Sequence, residues 1–379
     1  MLRAAYKIRD CKTPLMGTHL LRCPDGHVCY IENNSCKHRF CQECNALERE
    51  RWLHRWTQRL LPCPHHHVVF TVPHELLDLW RYNKRQFAAM LFAAASGALR
   101  TLLADPKYCG GRVGLLAALH TWSQTLAAHV HLHVLVSAGG IDEQSGRWRP
   151  TTRECLLPRK VLMIVFRGKF RALVLDALAK GELNIPPGKA ANYWHSQLNR
   201  LGRLPWNVKV FGRYQNGRTV ANYLARYLRG GPIGNSRILS CDEEHVYFRS
   251  RVPAHEGQDR SRQSVTKLTI NEFILRLLEH VPERGAQTVR GYGLYSGNQH
   301  SRLAEAFEAL GSKPPTADQD KLDVAQWLVK LGRDPKSLCC PECGKRLEII
   351  RPGNPLRRLA GRSPPSAARV SNTELKVSA

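Results

Sequence analysis

The stretch "AAHVHLHVLVSAGG", residues 127–140, carries His129, His131 and His133 at alternate positions, with Val130, Leu132, Val134 and Val136 on the other parity. A period of two belongs to a strand, whose side chains alternate between two faces. The stretch therefore predicts a strand with one imidazole face and one aliphatic face. Neighbouring imidazoles would stand about 6.6 Å apart, from a rise of about 3.3 Å per residue. That spacing suits two imidazoles converging on one ion. The competing reading is three solvent-facing histidines, although histidine is a poor choice for mere exposure. Imidazole accepts several divalent metals. For phosphate chemistry Mg²⁺ or Mn²⁺ is expected, completed by an oxygen ligand or a third side chain. The candidates are Gln124 and His129.

Outward from this strand, "HHHVVFTVPHEL" (65–76) predicts a strand ended by Pro73, with His67 packing near the site. "GRVGLLAALHTWSQ" (111–124) predicts another strand. Helical patterns cover 76–103, 158–181 and 190–203, and 138–150 reads as a turn-rich connector. "WNVKVFGRY" (206–214), "HVYFRSR" (245–251) and "SVTKLTI" (264–270) are strand-like, and a helix follows from Asn271 to His280. Strands and helices without regular βαβ alternation predict an α+β domain with an antiparallel sheet.

"RTVANYLARYLRGGP" (218–232) predicts a short helix with Thr219 as N-cap and Gly230–Gly231 as its stop. Tyr223 and Tyr227 lie one turn apart on it. Val220, Leu224 and Leu228 share their side, while Arg226 and Arg229 point elsewhere. An ordinary amphipathic helix would also place aromatics this way. A phenol titrates near 10, so a tyrosine nucleophile needs help from a neighbouring cation.

The chain has 379 residues with 57 Lys and Arg against 31 Asp and Glu, a formal charge of +26. Such a charge attracts polyanions, with nucleic acid as the default partner. The start "MLRAAYKIRD" has no apolar core of signal-peptide length. The apolar run from Phe87 is broken by Arg100 and reads as too short for a membrane span of roughly 20 residues. A cytoplasmic protein with no membrane partner is expected. A metal strand, a tyrosine helix and a basic surface together predict a site that nicks and joins DNA.

Thirteen cysteines cluster towards the two ends. Without an export signal, clustered cysteines suggest zinc before disulfides. Cys41 and Cys44 form a knuckle, with Cys36 and Cys23 completing a set and His27 or Cys29 as alternatives. Cys11 is left for a second site, and Cys340-x-x-Cys343 has no second pair nearby. After the knuckle, Arg49, Arg51, Arg55 and Arg59 form a helix-like row that could meet phosphates.

His131-Leu132-His133 resembles the "HUH" signature of single-strand DNA transesterases. With the paired tyrosines, the chain resembles the two-tyrosine rolling-circle transposases of the insertion-sequence-ninety-one type. "SCKHRFCQEC" (35–44), "HVVFTVPHEL" (67–76), "LHTWSQTLAAHVHLHVLVSAGGI" (119–141), "VANYLARYL" (220–228), "EFILRLLEHVPERGAQTVRGYGLYS" (272–296) and "CCPECGKRL" (339–347) carry the likeness in order. The first departs from the family's Cys-Pro-x-Cys, having Gln42 in place of proline. "CPDGHVC" (23–29) stands where the family has two cysteines separated by two residues.

The resemblance implies a ferredoxin-like or RRM-like sheet with helices on one face, the histidine strand central and the tyrosine helix across it. It implies His131 and His133 as ligands of a catalytic Mg²⁺ or Mn²⁺, and Tyr223 and Tyr227 as nucleophiles forming 5′-phosphotyrosine links. Arg226, Arg229 and Arg55 are the expected DNA contacts. Structural Zn²⁺, and single- and double-stranded DNA of the element ends and target, complete the expectation. Four segments follow: a zinc-binding module at 1–62, a catalytic domain at 63–300, a helical segment with the second knuckle at 301–350, and a disordered basic tail at 351–379. The rivals are a rolling-circle replication initiator, a non-catalytic zinc regulator and a zinc hydrolase. The last would want a carboxylate beside the histidines.

Overall fold

The computed structural model describes residues 2–151, 155–228, 231–252, 262–316 and 322–351, without the side chains of 223, 224, 226–228, 252 and 262. The expected disordered tail lies outside the described residues beyond Arg351, as does Arg229. In chain order the elements begin with α1 (Leu2–Arg9), β1 (Thr18–Arg22), β2 (Cys29–Asn33), α2 (Ala46–Arg59), β3 (His65–Thr71), α3 (Leu77–Tyr82) and α4 (Lys84–Leu103). Next come β4 (Arg112–Trp122), β5 (Ala128–Ile141), β6 (Trp148–Pro150), α5 (Arg159–Ala179), α6 (Ala191–Leu201), β7 (Val208–Tyr214) and α7 (Arg218–Leu228). The remainder are β8 (Ile238–Cys241), β9 (His245–Val252), β10 (Arg262–Thr269), α8 (Ile270–Glu279), β11 (Val289–Gly293), α9 (His300–Ala309), α10 (Val324–Lys330) and β12 (Glu348–Ile350).

The chain divides into two units, one of residues 1–9 and 36–335, the other of 10–35 and 336–379. In the larger unit an antiparallel sheet runs β11-β4-β5-β3-β7, with β6 added beside β5. The fold is α+β, and the histidine strand β5 is central. Its aliphatic residues Val130, Leu132, Val134 and Val136 join Val68 and Phe70 of β3 in the main core, together with side chains of α4, α5 and α6. The opposite face bears Leu116, Ala118 and Leu135, covered by Val220 and Ala221 of α7, Trp52 and Trp56 of α2, and Leu303 and Phe307 of α9. Helices therefore cover both faces, not one as the resemblance implied. The second layer exists because α2 and α7 carry their own apolar stripes and bury them on the histidine side.

Several boundaries differ from expectation. The helix expected over 76–103 breaks at Asn83, whose side chain donates to the carbonyl oxygens of Leu79 (3.0 Å) and Asn184 (2.8 Å). Helix α4 is long and apolar enough to cross a membrane by length and composition, contrary to the reading of its run as too short. Its Phe87, Leu91, Phe92, Ala95 and Leu99 are instead core residues. The connector expected over 138–150 holds the end of β5 and the short β6, which pair at Gly139–Ile141. Thr219 does not cap α7: Asn216 Oδ1 accepts from the Arg218 amide (3.2 Å), so Thr219 lies inside the first turn.

Tyr295 shows how tightly the second core is set. Its hydroxyl donates to His65 Nε2 (2.6 Å), while the Leu61 amide donates to the same oxygen (3.1 Å). A Cβ at Gly114 would stand 2.8 Å from the Tyr295 ring, so β4 needs glycine there. Burial pushes the Tyr295 phenol well above its ordinary range, which unfits it as a nucleophile.

The remaining strands of the larger unit form a sheet ordered β10-β9-β8. Its inner side packs Val246, Phe248 and Leu268 against Leu126, the last residue of the β4–β5 turn. The smaller unit is built on the antiparallel sheet β12-β1-β2.

Candidate metal centre and tyrosine helix

His131 and His133 share the face of β5 that α7 helps to cover, and the third member of their cluster is His120. One ring nitrogen from each of His120, His131 and His133 lies within 4.8 Å of the others. Sequence reading missed His120, and the reason is a β-bulge. Trp122 pairs with Ala128 and His120 with His131, so His129 and Val130 of β5 together stand opposite Thr121, and Ala118 pairs with His133. Directly opposed residues of an antiparallel pair share a face. His120 shares the parity of Leu116 and Ala118, which face the second core, and the extra residue of β5 sets His131 rather than Val130 opposite it.

Neither expected third ligand joins this cluster. Gln124 sits at the exposed tip of the β4–β5 turn, which closes through Ser123 and Leu126, and its carbonyl accepts from Arg237. Leu126 adopts φ 62 in that turn, held there by its buried side chain. His129 is exposed, and its ring centre lies 4.9 Å from that of His131. Its backbone carbonyl has a clearer role, accepting from His131 Nδ1 (2.7 Å). His133 Nδ1 is in turn 2.8 Å from His67 Nε2, the two rings lying nearly in one plane with centres 5.0 Å apart, and the Phe211 ring lies nearly parallel to His67 at 4.9 Å. Both contacts engage Nδ1, so Nε2 is the nitrogen that His131 and His133 could offer to an ion. Outer partners of this kind set the tautomer of metal-binding imidazoles.

Burial lowers the histidines: His131 and His67 to about 4, His120 and His133 well below the ordinary imidazole range. At neutral pH all four are uncharged and offer lone pairs. Three neutral imidazoles on one buried face fit a divalent cation. No carboxylate joins the cluster among the described residues.

Helix α7 packs on this same face through Val220 and Ala221, which meet Leu116 and Ala118 of β4 and Leu135 of β5. Tyr223 and Tyr227 lie on α7, one turn apart. Their side chains, and that of Arg226, lie outside the described residues.

Helix α2 follows the first knuckle directly. Of its arginine row, Arg59 lies over Trp56 (5.2 Å) and donates to the carbonyls of Tyr295 and Ser296, so it braces the fold. Arg51 pairs with Glu48 (2.9 Å), and Arg55 is exposed.

The cysteines expected as one zinc set divide between the units. In the larger, Cys36, Cys41 and Cys44 converge, with Cys36 Sγ 3.6 Å from Cys44 Sγ. The Asn45 side chain donates to the carbonyls of His38 (2.6 Å) and Cys41 (2.7 Å), holding the loop at the start of α2. In the smaller unit Cys23 converges with His27, Cys340 and Cys343. Here the second knuckle finds the partners that its sequence neighbourhood lacks, while Cys29 is exposed and outside the cluster. Cys23 Sγ lies 3.5 Å from both Cys343 Sγ and His27 Nδ1. Tetrahedral zinc with bonds of about 2.3 Å to sulfur and about 2.0 Å to nitrogen requires edges of about 3.5–3.8 Å, so the donor set fits. Burial pushes the Cys23 thiol up, but the amides of Asp25 and His27 and the thiols of Cys343 and Cys340 outweigh it and bring it down to about 7, while the neighbouring Cys343 is pushed up to about 11, so the pair holds one thiolate before a cation arrives.

Two family models match the chain in this order: "Transposase zinc-binding domain" over residues 1–72 and "Putative transposase" over residues 114–302. A zinc-binding module ahead of an imidazole-bearing sheet thus defines the class, a transposase. A "Putative transposase y4qJ" of Sinorhizobium fredii is 32% identical over 323 residues, covering 84% of this chain and 80% of that one. The "Transposase for insertion sequence element IS801" of Pseudomonas savastanoi pv. phaseolicola is 29% identical over 358 residues, covering 90% and 81%. No solved structure matches. The chain belongs to the transposase family of the insertion-sequence-ninety-one type, a nucleic-acid-processing family with structural zinc.

Proposed function

We propose that this transposase nicks and rejoins single-stranded DNA at the ends of an insertion sequence, with Tyr223 and Tyr227 as nucleophiles. The observation that carries this reading is the cluster of His120, His131 and His133 on the sheet face against which α7 packs. His131 and His133 hold a catalytic Mg²⁺ or Mn²⁺, and His120 replaces Gln124 and His129 as the third ligand. Three nitrogen donors without a carboxylate suit Mn²⁺ better than Mg²⁺, a hard cation that prefers oxygen. The bound cation would neutralise charge on the scissile phosphate.

In the nicking step a tyrosine oxygen bonds to phosphorus and the bond from phosphorus to the 3′ oxygen breaks. The phenol loses its proton and the departing 3′ oxygen gains one. The product is a 5′-phosphotyrosine link and a free 3′-hydroxyl, with the bond energy conserved for rejoining. Two tyrosines on adjacent turns allow one DNA end to be held while a second is attacked. That is the requirement of rolling-circle transposition, in which one strand is transferred to a target.

Arg226, Arg229 and Arg55 contribute phosphate contacts, and the charge of +26 attracts duplex and single strand alike. The protein would act on bacterial DNA in the cytoplasm, at the nucleoid. Kinship with transposases displaces the replication-initiator reading.

The test is incubation of the full chain with single-stranded DNA of the element's ends and Mn²⁺. A denaturant-resistant adduct, lost in the Tyr223→Phe/Tyr227→Phe variant, is expected. Cleavage or transposition retained in that variant defeats the tyrosine assignment.

A further inference from the structure

Beside the end of β4 lies a cavity of about 350 Å³ that the reading above leaves unused. It is bounded by α3, the start of α4 and the segment joining α8 to β11. Its walls are aromatic and cationic together. The indoles of Trp80 and Trp122 and the ring of Phe40 line it, over a floor that includes Ala88 and Leu119.

Arg39, Lys84, Arg85 and Arg290 line the same space, against the carboxylates of Glu279 and Glu283. Glu279 is already paired with Arg81 (2.8 Å). Lys84 Nζ donates to the Glu279 carbonyl (2.7 Å), and Arg39 to the Ala286 carbonyl (3.2 Å) and the Thr288 hydroxyl (2.6 Å), so these two shape the wall. Arg290 differs. Its guanidinium lies over the Phe92 ring at 4.6 Å, and its Nε is buried without a hydrogen-bond acceptor among the described residues. A buried charged donor calls for an acceptor. Arg85 is exposed at the mouth.

We propose that this cavity holds one unpaired nucleotide of a DNA single strand, its base against the indoles and its phosphate towards Arg290 and Arg85. Aromatic faces stack any base, and cations track the backbone. A purely apolar ligand would leave the cations uncompensated. The proposal rests on the strand-nicking reading, because the cavity adjoins the candidate metal centre. The Trp122 ring stacks on the His120 ring at 5.1 Å and 15°. A nucleotide in the cavity therefore lies one indole away from the imidazole cluster. Which base occupies it would help select the phosphate presented to the tyrosines.

The test uses the full chain with its zinc, no added divalent metal, and a short mixed-sequence single strand carrying 5-iododeoxyuridine. Irradiation and peptide mapping should find crosslinks in the peptides containing Trp80 or Trp122. Crosslinks confined to other peptides overturn the proposal. Arg290→Met and the exposed Arg85→Ser should each weaken single-strand affinity about tenfold. Unchanged affinity in both overturns it as well, and Arg85→Ser keeps this arm informative if Arg290→Met fails to fold. Adduct formation with no crosslink at the indoles sinks the cavity alone. Crosslinks together with no adduct in the separate Mn²⁺ incubation sink the tyrosine chemistry alone.

Discussion

Replacing His67 by phenylalanine separates two jobs of that residue. The ring is buried, with its centre 5.0 Å from that of His133 and 4.9 Å from that of Phe211, and phenylalanine keeps a flat apolar ring beside Phe211. What it removes is the 2.8 Å hydrogen bond to His133 Nδ1. For His133 to ligate through Nε2, its Nδ1 must carry the proton and donate it to His67 Nε2. The His67 proton then resides on its own Nδ1. Without an acceptor at position 67, the Nδ1-protonated tautomer of His133 loses its stabilising partner and its buried N–H goes unpaired. Loss of an outer partner of a metal ligand costs about tenfold to a hundredfold in affinity, or about 1.4 to 2.7 kcal/mol. Mn²⁺ titration followed by electron paramagnetic resonance, alongside thermal unfolding of the metal-free protein, reads the two effects separately. His67→Phe should weaken Mn²⁺ binding by that factor and lower the unfolding midpoint of the metal-free protein by the cost of one unpaired buried N–H, about 1–3 kcal/mol, and His67→Gln, which restores an acceptor, should recover part of both. Unaltered Mn²⁺ affinity in a folded His67→Phe protein would refute the tautomer argument.

Other consequences follow from the same structure. His120→Ala should weaken Mn²⁺ binding at least a hundredfold, whereas Gln124→Ala and His129→Ala should not approach that effect; the reverse ranking in the same titration removes His120 from the centre. His65 and His66, buried and held by that burial at about 4 against an ordinary 6.5, stay neutral in the fold and protonate once unfolded. Stability should therefore fall as pH drops from 6.5 towards 4, by up to about 1.4 kcal/mol per pH unit for each histidine, and a urea midpoint flat across that window contradicts it. Gly114→Ala should cost about 1–3 kcal/mol, because its Cβ would meet the pinned Tyr295 ring at 2.8 Å; an unshifted unfolding midpoint would show that β4 yields more easily than this packing implies. Cys340→Ser with Cys343→Ser should remove one zinc equivalent by elemental analysis and leave the rest, and a full zinc complement in that variant denies the smaller unit its site.

Local periodicity was enough to establish the elements that matter most. Alternation at 129, 131 and 133 made a strand with an imidazole face before any contact was known, since side-chain direction in a strand depends only on parity. The charge and the clustered cysteines likewise pointed to nucleic acid and zinc without geometry. Tertiary structure decided which residues meet. His120 reads as one more residue of an apolar strand, and only the bulge in which His129 and Val130 oppose Thr121, a matter of register between two strands, sets His131 opposite it. The knuckle at Cys340 looks unpartnered because its companions Cys23 and His27 are more than three hundred residues away in sequence, joined through the β12–β1 pairing. Pairing of strands is a non-local choice, settled by which faces bury most apolar surface, and no window of neighbouring residues contains it.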